Sequence, residues 1–325
     1  MVKIVTRLSA VFVFLLCACS QQDVHTGNAS LAISHSPDII IASALSVDGQ
    51  FNLVANGQTV CLWKNHQTKL PVHCLEGDDA RFIELLDISE NNQFYLTSNQ
   101  VTVRLYSLPT NQQLGEWGVE GHIINDIDIS ANGKKILLGF RTGKASIIDV
   151  KHNKIALFDK HRLDINSVSL SYDGTTAFTG SSDKTAMLWQ TESGINIQEF
   201  KHGSRVNHVS LSKNGKVGFT LDAIKDRTFW DLSNGKIVSK LNTHLRFFEF
   251  NDSKFSPDNS LLLTGSPKQV IKLWRVADGA LIAQWQSQVT KGRASVLSVA
   301  YQGDNHIIST NSDGLFEQWA LPIKN

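Results

Sequence analysis

Seven beats, 41 to 45 residues apart, govern what this 325-residue chain can fold into: Trp63, Tyr106, Ile148, Trp189, Trp230, Trp274 and Trp319. They close the short runs VCLWK, VRLYS, ASIID, AMLWQ, RTFWD, IKLWR and FEQWA. A second marker recurs about 17 residues before each beat: Ser46-Val47-Asp48-Gly49, Ser89-Glu90-Asn91-Asn92, Ser130-Ala131-Asn132-Gly133, Ser171-Tyr172-Asp173-Gly174, Ser212-Lys213-Asn214-Gly215 and Ser256-Pro257-Asp258-Asn259, with Gln302-Gly303-Asp304-Asn305 as a degenerate seventh copy. Asx-Gly pairs tolerate the positive backbone angles of tight hairpins, so each copy reads as a turn between two strands. Another apolar run, such as Ala177-Phe178-Thr179, precedes each beat, and a further turn follows it at Ser193-Gly194, Asn234-Gly235 or Asp278-Gly279. Four short strands per repeat, at a period of about 40–45 residues, predict a propeller of four-stranded blades. Such a disc is a display scaffold, and the fold by itself names no chemistry.

The fourth repeat, from Asp159-Lys160-His161 through Thr179 and Asp183 to Trp189, resembles the WD40 family. That resemblance implies a structural tetrad of His161, Thr179, Asp183 and Trp189, in which Asp orients His and His links the hydroxyl to the indole. Such a network stabilises only when every member is satisfied. The literal Trp-Asp pair occurs at Trp230-Asp231, and the resemblance covers about residues 30–321. Most repeats are degenerate: the tetrad Asp position holds Gly57, Gln100, Thr142, Ile224 and Lys268, and only Asp313 keeps it, with no His before that blade. Packing of aromatic and β-branched residues must therefore hold most blades together. An open ring would leave unpaired strand edges. After Trp319 only Ala320 to Asn325 remain, too few for another strand, while Ser30–His35 reads as a strand without a blade. Members of the resembled family close by lending an N-terminal strand to the last blade. The expectation is an all-β, seven-bladed WD40-like propeller of antiparallel blades over residues 30–325, closed by Ser30–His35.

The start of the chain reads differently. Lys3 and Arg7, the apolar stretch Leu8 to Leu16 and the small residues after it form a secretory signal, too short for a span of about 20 apolar residues. Leu16-Cys17-Ala18-Cys19 is similar to a bacterial lipobox, which implies cleavage after residue 18, lipidation of Cys19 and a polar tether over residues 19–29. Ser20 after the acylated position is similar to lipoproteins sent to the outer membrane, which implies a protein facing the periplasm. Without Lys3 and Arg7 the 31 basic residues become 29 against 30 acidic ones, a net charge of about −1. No basic excess points to nucleic acid. Cys61 and Cys74 oppose each other if the first blade turns at Gln67-Thr68, as a non-hydrogen-bonded pair close enough for a disulfide. An oxidising compartment favours the bond, and two reduced cysteines in apolar positions are the alternative.

Constellations of chemistry are sparse. Gly139-Phe140-Arg141-Thr142-Gly143-Lys144 has the wrong glycine spacing for a phosphate loop and lies on a hairpin rather than before a helix. No nucleophile elbow and no His-Glu-x-x-His occurs. His122, His161, His202 and His244 fall at the blade-linking position and read as structural. Asp78-Asp79 and Asp126/Asp128 read as turn and strand-face residues. Asn125, Asn166, Asn207 and Asn251 recur at the start of each innermost strand, either as a ring gripping a ligand or, the preferred reading, as a residue suited to strand entry. The loops before those strands carry Arg81-Phe82, Arg162, Asp164, Arg205, Arg246-Phe247-Phe248 and Arg293; arginine and aromatics are enriched at interface centres. In the resembled family this rim is the usual partner face. The reading is a monomeric, non-catalytic interaction scaffold without cofactor or metal, meeting membrane only through its lipid and protein partners through Arg162, Arg205, Arg246, Phe248 and Arg293. An accessory role in outer-membrane protein assembly and a channel-centred enzyme are the competing readings.

Overall fold

The computed structural model describes residues 24–66, 70–243 and 249–322. Seven four-stranded antiparallel sheets form a closed ring of blades, with a 3-10 turn at Gly77–Asp79. Blade 1 takes residues 42–75, blade 2 residues 85–118, blade 3 residues 124–159, blade 4 residues 165–201, blade 5 residues 206–240 and blade 6 residues 252–286. Blade 7 draws Val296–Gln302, His306–Asn311 and Leu315–Ala320 from the end of the chain. Its outer strand is Leu31–Ser34, paired from Leu31↔Gln318 to Ser34↔Leu315. The closure expected from the sequence is therefore the closure observed. His35 leaves the strand and turns inward, its ring stacked between Trp63 of blade 1 and Phe316 of blade 7 at 5.2 and 5.3 Å.

The repeated Ser-x-Asx turn has one geometry in six copies. In Ser171–Thr176, Ser171 Oγ donates to Asp173 Oδ1 (2.7 Å) and accepts from the Thr176 N–H, while Asp173 Oδ1 also accepts from the Thr175 N–H. The same Ser Oγ to Asx Oδ1 bond recurs at Ser46, Ser89, Ser130, Ser212 and Ser256. The fourth turn position is left-handed, held by Gly174 at φ 73° and by Asn92 and Asn259 at 55° and 61°. These turns form one face of the disc together with the turns that follow each beat. The opposite face carries the loops that enter each innermost strand, which are hydrogen-bonded to the second hairpin loop of the same or neighbouring blade (His161 N–H to Gly143 O, Ala223 N–H to Arg205 O). The two sides are called here the turn face and the loop face.

Apolar packing between blades carries the core. Trp189, Trp274, Trp319, Phe178, Phe219, Phe229 and Phe316 are completely buried or nearly so. In blades 4 to 7 each beat indole donates to a hydroxyl ten residues earlier: Trp189 to Thr179, Trp230 to Thr220, Trp274 to Thr264 and Trp319 to Ser309. In blade 1, Cys61 and Cys74 face each other across the ladder and are joined as a disulfide, with a Cα–Cα distance of 4.1 Å.

The start of the chain departs from the expected loose tether. The signal segment 1–18 and Cys19 lie outside the described residues. His25, however, already bridges in parallel to Ala283 on the outer strand of blade 6, and Ala29 packs against the core between blades 6 and 7.

Candidate functional site

Two concave or exposed regions compete for function, the central channel and the loop face. The innermost strands of all seven blades line a channel of about 900 Å³. Its wall carries eight carboxylates (Asp48, Glu84, Asp87, Glu90, Asp126, Asp128, Asp252 and Asp304) against Lys213 and Lys254. Burial raises the pKa of Asp87, pushes Asp126 up to about 7 and raises Asp128 well above its usual range, where the Asp87 charge adds to burial. The Asp87 and Asp128 carboxyls titrate together, while the Lys254 ammonium pulls both in the opposite direction to burial. Lys254 is exposed in the lumen, and the nearby Asp252, then Asp87 and Asp128, hold its ammonium strongly protonated.

The hydrogen bonds show what these groups are for. Neighbouring innermost strands splay too far apart to share a backbone ladder, and side chains bridge them. Asp87 Oδ2 accepts from the Ile129 N–H (3.1 Å), Asp126 Oδ2 from Val168 (2.8 Å), Asp128 Oδ2 from Leu170 (2.6 Å) and Asp252 Oδ2 from Val299 (2.9 Å). Ser167 and Ser169 accept from Val209 and Leu211 of the next blade. The recurrent amides do the reverse: Asn125, Asn166 and Asn251 donate to the carbonyls of Ile165, Val206 and Val296. Ser43 meets Ser298 at 2.6 Å, and His208 meets Ser253 at 2.8 Å. Among the described residues, six of the seven blade junctions are laced in this way. Reading Asn as merely suited to strand entry was too weak; three of the four amides clasp the next blade. Asp126 and Asp128 are strand-face residues, as expected, and the face is the channel wall. Carboxylates already holding backbone N–H groups on the adjoining strand are poorly placed to move substrate protons.

The tetrad residues come together in blade 4. His161 Nε2 lies 2.8 Å from Thr179 Oγ1, and His161 Nδ1 lies 3.2 Å from Asp183 Oδ2. Asp183 also accepts from the Arg162 N–H and from Thr185. Burial works against its charge, but these hydrogen bonds outweigh it and hold the carboxyl well below its usual range. Asp313 in blade 7 takes N–H groups of Thr290 and Lys291 where a His would stand. Blade 5 gathers His202, Asp222 and Asp226, with ligand atoms within 4.8 Å of one another. Lys240 already sits 3.2 Å from Asp226 Oδ1, and Asp222 Oδ1 accepts three backbone N–H groups from Ile224, Lys225 and Asp226. Those partners engage one oxygen of each carboxylate, and both ring nitrogens of His202 are buried without a hydrogen-bond partner.

On the loop face, Arg162, Arg205 and Arg293 are solvent-exposed on blades 4, 5 and 7. Arg246, Phe248 and His244 lie outside the described residues. What sequence reasoning passed over is apolar. Ile39 and Ile41 before blade 1, Val101 in blade 2, Ile123 before blade 3 and Leu163 before blade 4 are all exposed on this face. Phe82, noted only beside Arg81, is 75% exposed and sits at φ 60°. Its loop buries Ala80 and Ile83 and lifts Arg81 and Phe82 out between them. A left-handed backbone is a genuine outlier for a bulky residue and costs on the order of 1–3 kcal/mol, strain that collects at functional sites. A shallow hollow of about 320 Å³ opens beside it, lined by Glu84, Asn99, Gln100 and Val101.

This architecture defines a seven-bladed propeller of four-stranded blades. Two stretches, residues 152–190 and 235–275, match the family model described as WD domain, G-beta repeat. Each match starts on or next to the outer strand of one blade and runs through three strands of the next. Similar proteins include WD repeat-containing protein SL1-17 of Schistosoma mansoni, 24% identical over 47% of this chain and 48% of that protein. U3 small nucleolar RNA-associated protein 12 of Saccharomyces cerevisiae is 25% identical over 37% of this chain and 13% of its own length. Guanine nucleotide-binding protein subunit beta-5b of Danio rerio is 27% identical over 28% of this chain and 24% of its own. The matched parts span half or less of each relative. Together with the ring of seven blades, these matches make the chain similar to WD-repeat propellers.

Proposed function

We propose that this propeller is a non-catalytic protein-interaction scaffold whose partner surface is the loop face, held at a cell-envelope membrane by acylation of Cys19. Propellers of WD repeats are typically interaction scaffolds. The single observation that carries the reading here is the exposed apolar arc Ile39, Ile41, Phe82, Val101, Ile123 and Leu163 along blades 1 to 4. Exposed apolar side chains gathered on one face of a soluble domain mark interaction sites. Arg162, Arg205 and Arg293 continue the arc with cations on blades 4, 5 and 7. A partner presenting apolar side chains flanked by carboxylates complements it.

The strained, exposed Phe82 is the anchor of this surface, and Arg205 is a flanking contact. Phe82→Ala should reduce recovery of cross-linked partners from intact cells by at least about tenfold, a hot-spot effect of about 1.4 kcal/mol or more. The same change should leave thermal stability unchanged, since the ring is 75% exposed and Ala keeps the Cβ that makes the left-handed backbone costly. Arg205→Ala with Arg246→Ala should weaken recovery less. Undiminished recovery from both variants would retire this face.

A further inference from the structure

In blade 5 the polar centre of blade 4 has come apart. Thr220 still accepts the Trp230 indole N–H at 2.7 Å. Ile224 stands where Asp183 does in blade 4, and its side chain is exposed. His202, which the sequence marks as a blade-linking residue, meets Trp230 edge-on with ring centroids 6.0 Å apart. It reaches neither a hydroxyl nor a carboxylate: both ring nitrogens are sealed from solvent without a hydrogen-bond partner. His161, at the same place in blade 4, has both nitrogens engaged. A buried polar atom left unpaired is costly, so the His202 ring calls for a ligand of another kind.

Two carboxylates stand beside it. Asp222 and Asp226 bracket the hairpin loop that follows the strand Val217–Asp222, on the loop face of blade 5. One ligand atom from each of them and one from His202 all lie within 4.8 Å of one another, the one such trio among the described residues. Asp222 is 2% exposed and fixed in place, because its Oδ1 accepts the N–H groups of Ile224, Lys225 and Asp226 at 3.0, 2.7 and 2.8 Å. That leaves its other oxygen for the centre of the trio. Asp226 Oδ1 meets Lys240 Nζ at 3.2 Å, and the Lys240 side chain is half exposed and able to swing away. Burial opposes the charge of Asp226, but Lys240 outweighs it and holds the carboxyl below its usual range. Burial also lowers the His202 pKa, against the pull of Asp222 and Asp226, so the ring is neutral near pH 7 and keeps a lone pair to offer.

We propose that His202, Asp222 and Asp226 form a binding site for a divalent first-row transition ion of the zinc class. One imidazole nitrogen with two carboxylate oxygens suits such an ion, whereas calcium and magnesium take oxygen ligands. Ligands about 2.0–2.2 Å from one zinc stand about 3.3–3.6 Å apart in a tetrahedron, so the trio closes by at most about 1.5 Å on loading. Asp222 is the fixed post of that movement, and the partly buried His202 and Asp226 side chains rotate to it. Three protein ligands leave the fourth position to water. The ion supplies what the ring nitrogen lacks, and Lys240 competes with it for Asp226.

The experiment uses the mature full-length protein without a polyhistidine tag, stripped with EDTA and dialysed. Added ZnCl2 should raise the thermal midpoint in a saturable way, and elemental analysis after gel filtration should find one zinc per chain. CaCl2 at the same concentration should leave the midpoint where it was. His202→Gln and Asp226→Asn should each weaken zinc binding by at least about tenfold, since even the supporting partners of metal ligands are worth about 10–100-fold. Asp226→Asn keeps the size of the side chain and answers the question should His202→Gln fail to fold. Lys240→Met should tighten zinc severalfold by removing the competing ammonium, which a purely structural ion pair would not do. No saturable zinc, undiminished affinity in Asp226→Asn or in a folded His202→Gln, a larger midpoint shift with calcium, or failure of Lys240→Met to tighten zinc overturns the site.

Discussion

Blades 3 and 4 are neighbours with the same strand lengths and the same turn chemistry, yet different interactions fill their centres. Blade 4 runs a polar chain from Asp183 through His161 to Thr179 and Trp189. Blade 3 has Thr142 at the Asp position, Leu138 where the linking hydroxyl stands and Ile148 at the beat; Leu138 and Ile148 are fully buried. Its His122 stacks on Phe140 at 4.9 Å and reaches only Thr142. One backbone shape is thus compatible with a hydrogen-bonded centre or a greasy one. The shared requirement is filled volume between blades. The polar chain is an addition that works only where it is complete.

The sharpest way to break this comparison is to remove volume from the apolar blade. Ile148→Ala should cost about 3 kcal/mol, within the usual range for a buried aliphatic side chain, because the close-packed neighbours cannot collapse into the space. Chemical denaturation reads it as a fall in midpoint at unchanged slope. A loss under about 1 kcal/mol would mean that blade 3 contributes little to the ring.

Asp183→Ala should cost somewhat less, about 2 kcal/mol at pH 7, since His161, Thr185 and the Arg162 N–H lose their shared acceptor. This loss has a sign in pH. The folded carboxyl is held below its unfolded value of about 3.9, so its contribution is complete above that pH and disappears as pH falls below it. The gap between native protein and Asp183→Ala should therefore close on acidification below about pH 4, while the cost of Ile148→Ala should not follow that course. His35 adds a second acid-sensitive point, in the seam between blades 7 and 1. Burial lowers its pKa to about 4, so the seam is most stable above about pH 6.5 and weakens as pH drops from there toward 4. His35→Phe should flatten stability across that window.

What the residues disclosed in advance follows the same division. The beats, the Ser-x-Asx turns and the spare strand at Ser30–His35 are local or periodic signals, and they carried the blade count and the closure. The lacing of the channel was half visible. Asn125, Asn166 and Asn251 sit at one repeat position, but their acceptors lie 40 to 45 residues away, and only the ring brings those together. The apolar arc was hidden for another reason. A single Ile at the end of a loop, such as Ile41 or Ile123, reads as the first residue of a strand, and its exposure depends on which way the chain turns there. Phe82 was noticed without its left-handed backbone, which no sequence pattern announces.

The smallest effect sharpens the comparison most. If the polar chain works only as a whole, giving blade 3 its missing carboxylate should gain almost nothing. Thr142→Asp places an acceptor near His122, but that ring is only partly buried and Leu138 offers no hydroxyl beyond it. A solvated pair of this kind is worth about 0–1 kcal/mol. A double-mutant cycle should therefore give a His122–Asp coupling below about 0.5 kcal/mol, against at least about 1.5 kcal/mol for His161 with Asp183, where both side chains are buried and every partner is engaged. Equal couplings in the two blades would mean that the pair suffices, and that Thr179 and Trp189 are packing residues which happen to carry polar atoms.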